Sequence, residues 1–122
     1  MLNILIVENS IMFSTWLKAR LKIIEGINIT GIISDYESAL ETVLKEPPQL
    51  LILDLEIEGG NGLDILKAIK NRKLKTTIII FTNHNIYKNQ CLQLNADYFF
   101  DKSNDFEEMI FTIKKLVGEK SN

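Results

Sequence analysis

ILIVENS, residues 4–10, is the stretch on which the fold turns. Four apolar residues follow one another with no polar residue between them. A strand facing water on one side would alternate, so this run reads as one buried on both faces, as in a parallel sheet covered by helices. It stops abruptly at Glu8 and Asn9, an acid and an amide at the end of a buried strand. An acidic pair there would suit a metal ion, and the amide raises the question of whether the site keeps one.

Working outward, four further apolar runs recur at Ile27–Ile33, Leu50–Leu53, Ile78–Phe81 and Tyr98–Phe100. Helically spaced segments lie between them. Phe13, Trp16, Leu17, Leu21 and Ile24 share one face, with Trp16 expected in the core, and Phe106, Met109, Ile110, Ile113 and Val117 share another. In SDYESALETVLKEPP (residues 34–48), Asp35 reads as an N-cap and Pro47–Pro48 as a stop. Strand and helix therefore alternate five times, which predicts an α/β fold.

Run chemistry predicts the strand order. The first, third and fourth runs are continuously apolar and belong in the centre. Asn28, Thr30 and Gly31 interrupt the second, and aspartates bracket the fifth in DYFFD (residues 97–101), so both suit edges. The expectation is a flavodoxin-like, doubly wound five-stranded parallel sheet of order 2-1-3-4-5, with five helices on its two faces.

Bulk properties agree with one domain. The chain has 122 residues, 46% hydrophobic and 25% charged, an ordinary globular composition. A chain of this size buries roughly two-thirds of its unfolded surface, enough for a core without staples. No apolar run approaches the ~20 residues that span a bilayer. Neither a basic leader nor a small-residue cleavage site precedes the first run, and the single cysteine, Cys91, excludes an internal disulfide. The expected location is therefore cytoplasmic, with no membrane partner. Cys91 reads as a buried small apolar residue and the lone His84 as a surface residue. The basic cluster Lys67, Lys70, Arg72, Lys73 and Lys75 falls where a helix would end and lacks interleaved aromatics, so no direct nucleic-acid binding is expected. Residues 1–118 form the predicted domain and 119–122 a frayed tail.

In open α/β sheets ligands sit beyond the carboxyl ends of the strands, at the switch point of strand order. The first run ends in Glu8–Asn9, the third in Asp54, the fourth in Thr82 and the fifth in Asp101–Lys102. A carboxylate, a hydroxyl and an ammonium converging on one spot can handle a phosphoryl group, given a divalent ion.

ILIVEN, LLILDLEIEGGNGLDIL, IIIFTN and NADYFFDKS, in that order and at those strand ends, resemble the receiver domain of two-component response regulators, the CheY-like family. The resemblance spans essentially the whole chain. It implies that Asp54 accepts a phosphoryl group from a sensor histidine kinase or a phosphotransfer protein. It implies that Glu8 and Asn9, Asp54 and the backbone carbonyl of Glu56 hold Mg2+. Thr82 and Lys102 would contact the phosphoryl oxygens, and Thr82 and Phe99 would form the switch. Gly62 matches the turn glycine before the third helix. The expected output surface is the fourth helix, fifth strand and fifth helix, which could also pair in a homodimer. Such a protein is a phosphoacceptor, not an enzyme, assisting only its own phosphorylation and dephosphorylation.

Four departures from the family pattern stand out. Asn9 replaces an acid, and losing one charge near the ion predicts a net ~1–2 kcal/mol and roughly tenfold weaker Mg2+ binding. The loop TNHNIYKNQ (residues 82–90) looks short by about two residues against that family's pattern. Asn95 stands where glycine is common, and Asn tolerates the left-handed backbone. Ser103, where many members have proline, reads as a helix cap. The alternative reading is a pseudo-receiver that works by protein binding alone, supported by Asn9.

Overall fold

A computed structural model describes residues 1–121. The elements run β1 (Leu2–Val7), α1 (Ile11–Leu21), β2 (Ile27–Ile33), α2 (Tyr36–Lys45), β3 (Leu50–Leu53), β4 (Glu56–Ile57), β5 (Gly60–Asn61), α3 (Gly62–Asn71), β6 (Thr77–Thr82), α4 (Lys88–Gln93), β7 (Tyr98–Asp101) and α5 (Phe106–Ser121), with a 3₁₀ turn at Asn85–Tyr87. The main sheet has the order β2-β1-β3-β6-β7, and every pairing in it is parallel. This is the predicted 2-1-3-4-5 order once the β4–β5 hairpin is set aside. The sequence reading missed that hairpin because its arms have two residues each and carry no apolar run.

The pleat divides the core into two halves. Leu5, Val7, Leu51, Leu53, Ile78 and Ile80 point to one face and pack with residues of α2, α3 and α4. Ile4, Ile6, Leu50, Ile52, Ile79 and Phe81 point to the other and pack with α1 and α5. Alternate side chains of one strand thus serve opposite layers, which is why the central runs tolerate no polar residue. In β2 burial alternates along the strand, as an edge requires.

Local chemistry sets the element ends. Asp35 caps α2 by accepting the Ser38 N–H at 2.9 Å, as predicted. Asn95 follows α4 with φ of 67°, and the Ala96 N–H closes the helix end on Cys91 O at 3.0 Å. Cys91 is fully buried.

Three expectations need correction. Trp16 is 42% exposed, because Leu17 and Leu21 take the inner stripe of α1 and the indole lies over Phe106 at the rim (centroids 4.8 Å). Ile24 lies beyond the end of α1, yet it packs on the same core half as Leu17 and Leu21, so only the helix extent is corrected. Ser103 is no cap: α5 begins at Phe106, Asp105 O takes the Met109 N–H, and the Ser103 hydroxyl donates to Asn83 Oδ1 at 3.1 Å. At the C-terminus the α5 backbone continues to Ser121, and Asn122, part of the tail expected at residues 119–122, lies outside the described residues.

Candidate functional site

The backbone ladder delivers the predicted site residues. Glu8 follows β1 and its N–H bonds Ile33 O at 2.9 Å, while the Asp54 N–H after β3 bonds Val7 O at 2.9 Å. The Lys102 N–H after β7 bonds Thr82 O at 3.0 Å. Glu8, Asp54 and Lys102 are therefore each the first residue beyond a strand, Thr82 is the last within one, and each is tied to the neighbouring strand. Their side chains rise from one edge of a rigid sheet.

Lys102 joins them. Its Nζ lies 2.5 Å from Glu8 Oε1 and 2.8 Å from Asp54 Oδ2. All three side chains are nearly buried, at 13%, 5% and 8% exposure, so the ion triad is shielded from solvent screening. Burial pushes the Glu8 carboxyl above its usual range, against the opposing pull of the Lys102 bond and the Ser10 N–H. For Lys102, burial disfavours the charge, but the bonds to Asp54 and Glu8 outweigh it and the net shift is upward.

Thr82 ends β6, beside β3, with no exposed surface, and its Oγ1 accepts the His84 N–H at 3.2 Å. The Glu56 N–H reaches Asp54 Oδ1 at a long 3.4 Å. Asn9 is exposed at the mouth of the β1–α1 turn, and Phe99 is buried in the core half that also holds Cys91 and Ile80. The structure therefore gathers Glu8, Asp54 and Lys102 directly, sets Thr82 at the adjacent strand end, and leaves Phe99 below the site.

Gly62 is fixed by proximity. A Cβ there would lie 2.3 Å from Asp54 O and 2.9 Å from Leu55 Cα, so a side chain would displace the loop that carries Asp54.

Sequence reasoning missed two contacts. His84 Nε2 and Glu56 Oε2 lie 2.7 Å apart at the exposed surface. They stand two residues beyond Thr82 and Asp54 on adjacent strands, and that shared offset was the available signal. The second is the ring of Phe13, 4.4 Å from Lys102 Nζ.

Among the described residues no group of three or more His, Cys, Asp or Glu side chains stands ready to hold a metal ion. The donor set nevertheless fits a cation. Two buried carboxylates already converge on one positive charge, the Lys102 ammonium. Mg2+ in particular keeps several waters and asks few protein oxygens.

The response regulator receiver domain family model matches residues 4–114. The chain belongs to this family. Curated relatives include the sensory transduction protein LytT of Bacillus anthracis, 28% identical over 122 residues, covering all of this chain and 50% of LytT. The nitrate/nitrite response regulator protein NarL of Escherichia coli is 28% identical over 118 residues, covering 95% of this chain and 55% of NarL. This receiver domain thus spans about half the length of these relatives. Among solved structures, a DNA-binding response regulator of the LuxR family from Staphylococcus aureus superposes with a TM-score of 0.87 at 24% identity, covering 96% of this chain and 99% of that one. The response regulator domain of Thermotoga maritima CheB gives 0.82 at 20% identity, covering 98% and 95%. These two share the fold.

Proposed function

We propose that this receiver domain accepts a phosphoryl group on Asp54 from a sensor histidine kinase or a phosphotransfer protein. The observation that carries the reading is the Lys102 ammonium held against both Asp54 and Glu8 at the carboxyl edge of the sheet. A carboxylate attacks an anionic phosphoryl donor poorly unless positive charge offsets the incoming oxygens. Lys102 brings one such charge from β7, and the Thr82 hydroxyl offers a hydrogen bond at the next strand end. Glu8, Asp54, Asn9 and the Glu56 carbonyl are the groups that would hold Mg2+. When bound, the ion would supply the remaining charge neutralisation.

Phosphorylation would give Thr82 and Lys102 new oxygens to bind, and those contacts would bias the domain between two conformations. Phe99 and the surface of α4, β7 and α5 are the proposed readout, through a partner, an output domain or a homodimer. No described helix is long and apolar enough to cross a membrane. DNA binding, where the full protein has it, is proposed for a separate output segment.

The test is incubation with acetyl phosphate and Mg2+, followed by intact mass, with Asp54→Asn as control. A single phosphoryl adduct that the control lacks is expected. Asn9 in place of an acid favours a second reading, a phosphorylation-independent interaction module. No adduct at high Mg2+, and no spectral response to beryllofluoride, would select it.

A further inference from the structure

We propose that Phe13 is a positioning residue for Lys102, its ring face holding the ammonium where Asp54 and Glu8 meet it. This rests on the reading of Asp54 as phosphoacceptor. Lys102 Nζ lies 4.4 Å from the ring centroid, well within the ~6 Å range over which an aromatic face attracts a cation. The site is nearly buried, and desolvation makes that attraction stronger than at an exposed position.

Phe13 reaches this place by the same short turn that places Glu8. Glu8 Oε2 accepts the Ser10 N–H at 2.8 Å, and Ser10 Oγ accepts the Phe13 N–H at 3.1 Å as the cap of α1. One capped turn therefore presents both a carboxylate and a ring to the ammonium. The ring is itself held, with Phe81 at 5.7 Å and Trp16 at 5.5 Å between centroids. Phe81 is almost fully buried in the central strand β6, so the ring rests on the rigid sheet.

An aromatic face suits this task better than a third carboxylate or a hydroxyl. It favours the cation without accepting a conventional hydrogen bond. Asp54 and Glu8 take two of the three ammonium donors, and the third stays free for a phosphoryl oxygen. Lys102 extends from the edge strand β7 across to β3 and β1, and its flexible stem gains one defined end point.

The bland account makes Phe13 ordinary packing for the α1–α5 side of the core. Phe13→Leu keeps apolar bulk and removes the ring; Phe13→Tyr keeps the ring. In the unphosphorylated protein, NMR should find the Lys102 ε-methylene protons shifted upfield by the ring current in wild type and Phe13→Tyr, and not in Phe13→Leu. With acetyl phosphate and Mg2+, Phe13→Leu should slow Asp54 phosphorylation by about two- to thirtyfold, the span of cation–π strengths, and Phe13→Tyr should restore it. In a Lys102→Met background the same Phe13→Leu change should have no further effect. Absence of the upfield shift in wild type overturns the proposal. So does an equal slowing with and without Lys102, which is the signature of packing alone. Failure of wild type to form any adduct overturns the phosphoacceptor reading instead, while the ring-current shift still decides the Phe13–Lys102 contact.

Discussion

Replacing Lys102 with Met tests the ion triad in isolation, because Met keeps most of the stem's apolar bulk and removes the charge. Glu8 and Asp54 would then face each other with 5% and 8% side-chain exposure and no cation between them. Removing one partner of a buried ion pair costs about 3–5 kcal/mol, since a charge is left buried without compensation. A value near 3 kcal/mol is expected at pH 7, because one of the two carboxyls can take up a proton to relieve the other. Glu8 is the one to do so. Burial already raises its pKa above the ordinary 4.5, and the variant loses both contributions of Lys102 that lower it. A folded pKa above the unfolded one means that the folded state binds more protons in that interval, so stability rises as pH falls through it. The variant should therefore recover part of its loss as pH is lowered from 7 toward 4.5. At the alkaline end the sign favours wild type below the raised Lys102 pKa. Its ammonium stabilises the fold up to its ordinary 10.5, and that stabilisation is lost as pH climbs through the folded value. Urea denaturation across this range, with an unchanged m-value, is the assay. A loss below about 1 kcal/mol at pH 7, or one that does not change with pH, would refute the reasoning.

Further substitutions probe the metal side and the scaffold. Asn9→Asp restores an acid beside Glu8, and Mg2+ titration should find affinity raised roughly tenfold; unchanged affinity would mean that position 9 does not sense the ion. Gly62→Ala forces a Cβ against Asp54 O, so it should cost about 1–3 kcal/mol in chemical denaturation and slow phosphorylation together. Asn95→Ala should destabilise by about 1 kcal/mol at its left-handed backbone, while Asn95→Gly should not, as thermal melting would resolve.

How much of this was legible in the sequence follows from the kind of signal each feature carries. The strand order was readable because the buried central runs ILIV, LLIL and IIIF admit no polar residue, whereas β2 and β7 are interrupted or bracketed. The strand-end placement of Glu8, Asp54, Thr82 and Lys102 was readable because topology fixes position there. Contacts between side chains from separate elements left no such trace. Phe13 looked like any member of an apolar stripe until its ring was found over Lys102. Trp16 shared that stripe, yet α1 turns it to the rim, where Arg20 lies 5.6 Å from its ring. Ser103 looked like a cap, but α5 begins only at Phe106 and the Ser103 hydroxyl turns instead to Asn83 Oδ1 at 3.1 Å.

The measurement that bears most directly on the central claim is identification of the modified residue after acetyl phosphate and Mg2+ treatment, by fragmenting the trapped adduct in a mass spectrometer. The account predicts one phosphoryl group, on Asp54. A group on Asp101 or on His84, the chain's single histidine, or no adduct at all with Mg2+ in excess, would contradict it.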